Sequence, residues 1–171
     1  MASARRTISY AVIAAALIAP AEGLWTTAKI DKLGTGQPPT VCYGMTSADR
    51  PVHVGDTYTP EECMDFLIRD IPKYAAPIFK CLHVKVSDHF AAAMTSAGYN
   101  AGSRAVCSSP MIARINANPN DVDNACSALT EWYVRPNGTK VHGWRTTAGG
   151  RFLPGLLNRR EKERKVCVTR D

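Results

Sequence analysis

Residues 8–31 of this chain read ISYAVIAAALIAPAEGLWTTAKID, a stretch that joins an apolar run to the first two carboxylates of the sequence. Arg5 and Arg6 precede the uncharged run Ile8–Ala21, which ends in Ala19-Pro20-Ala21 as export signals do. As a helix this run would be about 21 Å long, shorter than the ~30 Å hydrocarbon core of a bilayer. We therefore expect a weak membrane span that sends everything after Ala21 outward. A cleaved secretory signal and a retained anchor both stay open.

The composition describes one small, basic domain. The chain has 171 residues, of which 45% are hydrophobic and 21% charged, so a disordered tail and a coiled coil are excluded. Six cysteines without a Cys-x2-Cys pair predict disulfides in an oxidising compartment, and the spacing of the histidines predicts no metal site. The net charge of +6 favours an anionic partner, which could be nucleic acid, an acidic lipid surface or a bacterial cell wall.

Beyond Asp31 the pattern changes from short strands to helices. Thr40–Tyr43 and Val52–Tyr58 are predicted to pair in a small antiparallel sheet. Thr59-Pro60-Glu61-Glu62 is a capping box with proline at the first helical position, so a helix is predicted there. The further predicted helices are Ser87–Ala97, one opening at Pro110, Asp121–Tyr133 and Gly155–Val168. The expected fold class is α+β, mainly α.

Two carboxylates are the first candidates for chemistry. Glu22 follows the apolar run directly, and Asp31 lies nine residues later, beyond a predicted helix end. That separation is too long for a surface pair on one helix, but it suits two carboxyl groups facing each other from a helix end and a loop. A glycosidase needs such a pair, because one group donates a proton while the other stays ionised. Two surface acids on a solvated loop are the alternative.

A series of short motifs then runs in order through nearly all of the chain after Ala21. Glu22-Gly23-Leu24, Asp31 and Thr40–Thr46 (TVCYGMT) resemble the EGL…D…TxxYGHT signature of the phage lysozymes in glycoside hydrolase family 24. The resemblance continues through Gly55–Thr59, Glu62-Cys63, Tyr99–Gly102, Ala125-Cys126, Trp132, Ala148–Gly150, Gly155–Arg160, Glu163 and Cys167. Because the apolar run abuts Glu22, the chain is most similar to signal-anchor-release endolysins.

This resemblance implies a lysozyme-like fold, with a small β-sheet lobe and a larger helical lobe. It implies hydrolysis of the β-1,4 bond between N-acetylmuramic acid and N-acetylglucosamine in peptidoglycan, without metal or other cofactor. Glu22 would be the general acid, Asp31 the carboxylate that positions or activates water, and Thr40 the hydroxyl that holds this water. Inversion of configuration would place the two carboxyl groups roughly 6.5 to 9.5 Å apart. The implied positioning residues are Arg159, Tyr43 and Asn100.

Three departures from the family pattern affect this transfer. Eight residues (KLGTGQPP) separate Asp31 from Thr40, about three more than usual, so Thr40 needs a longer turn to reach the same place. Met45 replaces the histidine of YGHT. Residues 134–147 are additional, and they predict a surface hairpin turning at Asn137-Gly138.

The basic run Arg159–Lys165 has two interpretations. Its interleaved Glu161 and Glu163 indicate a solvated helix face more than a nucleic-acid surface, so no nucleic-acid partner is predicted. By resemblance, however, Arg159 would hold Glu22 through a charge-assisted hydrogen bond. The sequence leaves both interpretations open.

Six cysteines allow 15 pairings, and spacing does not choose among them. The resemblance implies Cys42 with Cys63, Cys81 with Cys107, and Cys126 with Cys167. None of the six would be a nucleophile, and none lies in the apolar run.

The predicted organisation is a signal-anchor over residues 1–21 and a lysozyme catalytic domain over residues 22–171. We expect a monomeric endolysin that is tethered to the inner membrane of a bacterial host, faces the periplasm and is later released there to cut peptidoglycan and lyse the cell. The alternatives are a lytic transglycosylase acting on the same bond and a non-catalytic, cationic cell-wall-binding protein.

Overall fold

The structure is a computed structural model that describes residues 2–31, 36–48 and 50–170, with side chains from residue 10 onward. It is mainly helical with three small antiparallel sheets, which confirms the predicted fold class. The helices are α1 Ala2–Glu22, α2 Pro60–Cys81, α3 Asp88–Ala101, α4 Ser103–Cys107, α5 Pro110–Ala117, α6 Val122–Ser127 and α7 Pro154–Cys167. The strands are β1 Trp25–Ile30, β2 Pro39–Cys42, β3 Met45–Thr46, β4 Trp132–Val134, β5 Lys140–His142, β6 Thr147–Ala148 and β7 Arg151–Phe152.

Helix α1 packs into the protein core. Tyr10, Ala14, Ala15 and Ile18 are each less than 5% exposed and belong to one apolar cluster with α2 and α3. The alanines recur at helical spacing, so the α1 backbone lies close to its neighbours. Among the residues that the structure describes, none of the helices combines the length and the apolar character that crossing a membrane requires.

Helix α3 is the centre of the helical lobe. All residues from 90 to 98 are buried, because α1, α2, α4 and α7 surround it. Gly98 is needed at one of these crossings, since a Cβ there would lie 2.7 Å from Ile78 Cδ1. The helix begins where the sequence predicts, with the Ser87 side chain accepting from the Phe90 amide. Thr59 and Glu62 likewise form the predicted capping box of α2.

One predicted helix is much shorter than expected. Asp121 caps α6 as the sequence suggests, but the helix ends at Ser127 and not at Tyr133. Tight turns follow, in which the Leu129 amide donates to Cys126 O and the Thr130 amide to Ser127 O. Trp132–Val134 then form strand β4, as suits two aromatic residues followed by a β-branched one.

The three-stranded sheet has the order β1-β2-β3, and its composition corrects the predicted pairing. Strand β2 contains Thr40 as expected, but its partner is β1, directly after Glu22. Val52–Tyr58 is not a strand, since its contact with β1 is the single bridge Thr27–Thr57 and a few backbone hydrogen bonds. The physical reason is a turn at Gly55, whose φ of 96° breaks an extended chain.

The additional segment forms the predicted surface hairpin. Strands β4 and β5 pair antiparallel, and Gly138 at the turn has a φ of 81°, which glycine accepts without strain. A second short hairpin, β6 with β7, follows and leads into α7. In sequence, both hairpins lie between α6 and α7.

Three disulfides close the fold in the pairs that the resemblance implied. Cys42–Cys63 ties β2 to α2, Cys81–Cys107 ties α2 to α4, and Cys126–Cys167 ties α6 to α7. Each closed loop lowers the entropy of the unfolded chain by an amount equivalent to about 3 to 4 kcal/mol. No described cysteine is free to act as a nucleophile.

Candidate active site

Glu22 stands at the junction between the two lobes because α1 ends there. Gly23, with a φ of 74°, takes the left-handed conformation that commonly terminates helices, and its amide donates to Ala19 O at 3.3 Å. The chain then enters β1 at Trp25. The helix end and the glycine that follows it therefore fix the position of Glu22 between α1 and β1, where its side chain is 27% exposed.

Arg159 of α7 reaches across to this carboxylate. Its Nη1 donates to Glu22 Oε1 at 2.6 Å, and the side chain of Arg159 is only 8% exposed. The guanidinium is also bound by Ser96 O, 3.2 Å from Nη2, and by Glu163 Oε1, 3.3 Å from Nε. Of the two interpretations left open by the sequence, the structure thus supports the contact with Glu22.

Arg159 belongs to a buried charge cluster, which we define as Arg159, Arg160, Glu163 and Ser96. Glu163 is fully buried and accepts from Ser96 Oγ at 2.7 Å, while its Oε2 lies 3.1 Å from Arg160 Nη1. Burial raises the pKa of the Glu163 carboxyl and lowers the pKa of the Arg160 guanidinium, and their mutual attraction opposes both shifts. The cluster holds the guanidinium of Arg159 in place from behind.

The prediction of a solvated helix face over Arg159–Lys165 is wrong for the members of this cluster. Arg159, Arg160 and Glu163 face the core, whereas Glu161 is exposed. The i,i+4 and i,i+3 spacing of the three residues was a signal that they could pair. Ser96 carried no comparable signal, because only the packing of α3 on α7 brings it to Glu163.

Asp31 and Thr40 lie at the loop end of the β1–β2 hairpin, where both donate to one carbonyl oxygen. The Asp31 amide donates to Pro38 O at 3.4 Å, and Thr40 Oγ1 donates to the same oxygen at 3.2 Å. Pairing of Ile30 with Pro39 and of Lys29 with Thr40 fixes this register. The additional residues of KLGTGQPP therefore lie in the hairpin loop, of which residues 32–35 fall outside the described part of the chain.

Asn100 and Tyr43 occupy different places. Asn100 lines a cleft of about 500 Å³ together with Glu22, Arg159 and Glu163, and its Oδ1 accepts from Arg160 Nη2 at 2.6 Å. Tyr43 instead borders a separate small cavity at the junction of the lobes, where its carbonyl accepts from Tyr99 at 2.6 Å. Asn100 thus belongs to the cleft that contains Glu22, whereas Tyr43 lies outside it and is bonded to α3 through Tyr99.

The rim of the cleft is apolar on both sides. Leu17, Pro20 and Ala21 of α1 line it, as do Leu153 and Leu156 at the start of α7. Within the described ranges, no three His, Cys, Asp or Glu side chains come together in a way that could hold a metal ion. The arrangement supplies a carboxylate with a positioned counter-ion, and a second carboxylate and a hydroxyl on a neighbouring hairpin.

Comparison with known proteins points to one family. The family model described as phage lysozyme matches residues 19–163. The SAR-endolysin of Enterobacteria phage P21 is 33% identical over 129 residues, covering 75% of this chain and 68% of that protein. The SAR-endolysin of Pseudomonas phage phiKMV is 32% identical over 161 residues, covering 92% of this chain and 89% of that protein.

Solved structures show the same fold. An endolysin from the Escherichia coli O157:H7 phage FAHEc1 is 28% identical with a TM-score of 0.64, covering 91% of this chain and 90% of that one. A mutant of P22 lysozyme is 22% identical with a TM-score of 0.72, covering 91% of this chain and 95% of that one. The predicted lysozyme-like arrangement of a small β lobe and a larger helical lobe is confirmed.

Proposed function

The chain belongs to the phage lysozyme family and is a muramidase endolysin, and from this premise we propose that Glu22, Asp31 and Thr40 carry out its reaction. The bond cleaved is the β-1,4 link between N-acetylmuramic acid and N-acetylglucosamine in peptidoglycan. The observation that supports this assignment most directly is the ion pair between Glu22 and Arg159 inside the cleft. A carboxyl group held this way is positioned for one defined proton transfer.

Glu22 is the general acid in this proposal. Arg159 donates to Glu22 Oε1 at 2.6 Å. We therefore propose that Oε2 carries the proton that Glu22 donates to the glycosidic oxygen of the leaving sugar. Because Glu163 and Ser96 fix the guanidinium of Arg159, they also fix Glu22 relative to α7. Arg159 is a positioning residue that acts through Glu22.

Asp31 and Thr40 prepare the water. The hydroxyl proton of Thr40 is donated to Pro38 O, so Thr40 Oγ1 meets a water molecule as an acceptor. A water that donates one hydrogen bond to Thr40 and the other to the Asp31 carboxylate presents its lone pair to the anomeric carbon, and Asp31 takes up the proton that this water loses on attack. In an inverting hydrolysis this water attacks the face opposite the leaving group as Glu22 protonates the glycosidic oxygen.

The two residues of the β1–β2 hairpin give separable predictions. Asp31→Asn is expected to lower kcat on purified sacculi by about 10²- to 10⁴-fold, because the amide cannot accept the proton of water. Thr40→Val is expected to lower kcat roughly tenfold, the effect of one lost hydrogen bond, whereas Thr40→Ser keeps most of the activity. Initial rates of reducing-sugar release measure both effects.

Thr26→Val is the matched control, since Thr26 is an exposed threonine of the neighbouring strand β1. If Thr40→Val were as active as Thr26→Val, Thr40 would not belong to the site. The wild-type products are expected to end in a hydrated reducing sugar by mass spectrometry. Anhydro sugars that persist in Asp31→Asn would indicate a transglycosylase instead.

For localisation, the SAR-endolysin relatives support export to the periplasm by a signal-anchor. We propose that residues 1–21 first hold the chain at the host inner membrane and, after release, become most of α1 in the folded enzyme. Burial of Tyr10, Ala14 and Ile18 supports this second role, because these side chains complete the core beside α2 and α3. On this proposal the anchor and the catalytic domain of residues 22–171 form one folding unit.

Intact-mass measurement of the periplasmic protein tests retention of the N-terminal segment. We expect the active protein to keep residues 1–21, because loss of α1 would expose the buried faces of α2 and α3 and leave Glu22 without a helix to hold it. The comparison is with the same protein in the membrane fraction, which should have the same mass. An active mature chain that starts at Glu22 would rule out the tether proposal.

A further inference from the structure

The outer face of the β4–β5 hairpin carries an aromatic pair, Trp132 and His142, that does not line the catalytic cleft and has no role in the proposed reaction. Trp132 lies directly opposite His142 across the hairpin, and the two rings stack with centroids 4.6 Å apart and planes 7° from parallel. Tyr133, the next residue of β4, is paired with Val141; it points inward, and its hydroxyl donates to Ala128 O. The indole is therefore held in place on one side by the imidazole, yet its residue is 65% exposed.

A polar hollow of about 480 Å³ adjoins this pair, since His142 is one of its walls. Helix α6 contributes Asp123, and α7 contributes Glu161, Arg164 and Lys165. The hollow thus combines two carboxylates and two cations beside a flat aromatic surface.

This hollow is distinct from the catalytic cleft. The two share no lining residue, because Asn158, Arg159 and Lys162 of α7 border the cleft while Glu161 and Lys165 lie on another face of the same helix. A molecule bound in the hollow therefore leaves Glu22 accessible.

We propose that the Trp132–His142 pair and the adjoining hollow form a second, non-catalytic binding site for a peptidoglycan strand. This proposal rests on peptidoglycan being the substrate of the cleft. The solvent-facing side of the indole takes the C–H face of an N-acetyl amino sugar, a contact that needs an exposed, rigid aromatic ring. Arg164 and Lys165 bind carboxylates of the stem peptide, while Asp123 and Glu161 accept from sugar hydroxyls or from the ammonium of the peptide.

The charges of the hollow favour this occupant over the other classes of partner. A nucleic acid or an anionic lipid surface would meet Asp123 and Glu161, which repel phosphate. A purely apolar partner would leave four charged side chains desolvated. A strand of amino sugars bearing peptides offers hydroxyls, carboxylates and an ammonium, and so complements both signs of charge.

A second contact with an insoluble polymer changes binding and leaves the chemistry intact. Once one site holds the strand, the other meets it at a high effective concentration. We therefore expect Trp132→Ala to raise the apparent KM on sacculi about fivefold to tenfold with kcat unchanged, the effect of one lost aromatic contact. Hydrolysis of short soluble glycan fragments, which cannot span both sites, is expected to be unaffected.

Val134→Ala is the matched control, because Val134 is 67% exposed on the same strand and also faces outward. Co-sedimentation with purified sacculi, in a Glu22→Gln background that prevents digestion, should show weaker binding for Trp132→Ala and unchanged binding for Val134→Ala. The double variant Arg164→Gln, Lys165→Gln leaves the hairpin sequence unchanged and should weaken binding to a similar extent. It tests the site independently if Trp132→Ala fails to fold.

The proposal is overturned if all of these variants sediment with sacculi like the parent protein. It is also overturned if sedimentation velocity shows that Trp132→Ala abolishes a dimer, since the face would then be an interface between copies of this chain. Inactivity of the wild-type protein on both sacculi and soluble fragments would instead contradict the function of the cleft, whatever the binding result.

Discussion

Glu22→Gln is expected to lower the lysis of outer-membrane-permeabilised Gram-negative cells by about 10²- to 10⁴-fold, the contribution of a positioned general acid. The amide cannot donate a proton in the way that a carboxylic acid can. Its carbonyl oxygen can still accept from Arg159 Nη1, which lies 2.6 Å from Glu22 Oε1 in the wild-type protein. The chemistry is therefore removed while the packing of the junction stays. Turbidity loss of a cell suspension measures the rate.

The matched control is Glu61→Gln, which makes the same substitution at an exposed position in the first turn of α2. It should lyse cells at the wild-type rate, and both variants should unfold at similar temperatures. Lysis by Glu22→Gln at the rate of Glu61→Gln would overturn the catalytic assignment. It would favour the cationic cell-wall-binding protein, whose action does not depend on that carboxyl group.

The largest expected effect on stability is that of Glu163→Gln. Glu163 is fully buried and is the carboxylate between Arg159 and Arg160. Its removal leaves the buried guanidinium of Arg160 without its carboxylate partner and Arg159 with Glu22 alone. Breaking a buried ion pair from one side costs about 3 to 5 kcal/mol in the free energy of unfolding. Urea denaturation followed by circular dichroism measures the change.

Glu161→Gln is the control on the same helix, since Glu161 is exposed and its substitution should change the free energy of unfolding by less than about 0.5 kcal/mol. A loss below about 1 kcal/mol in Glu163→Gln would show that the buried charge cluster contributes little to the fold. Because Arg159 also holds Glu22, the folded fraction of Glu163→Gln should show a reduced kcat as well.

Features coded within a few residues were predictable from the sequence. The start of α2 follows from Thr59 and Glu62, and the turn of the β4–β5 hairpin follows from Asn137-Gly138. The position of Glu22 at a helix end is equally local, because an uncharged, alanine-rich run stops at a glycine. In each case the deciding contact is made by a neighbour in sequence.

Partnerships between distant segments were not coded in this way. The sequence suggested Val52–Tyr58 as the partner of β2, but β1 takes that place, since strand pairing depends on which segment packs beside it. Asp121–Tyr133 has helical periodicity throughout, yet the hairpin that Trp132 enters ends the helix early. Local propensity is worth a few tenths of a kcal/mol per residue, and tertiary packing outweighs it.

The family motifs, the two carboxylates and the helix end that carries Glu22 follow from the amino-acid sequence alone. The burial of Arg159, Arg160 and Glu163, and the hydrogen bond from Ser96 to Glu163, depend on how distant helices pack. A charged residue on a helix stays exposed unless another element covers it and supplies matching partners, because an unpaired charge is costly to bury. Here α3 supplies that cover, and the ion pair that positions Glu22 exists because two helices distant in sequence pack together.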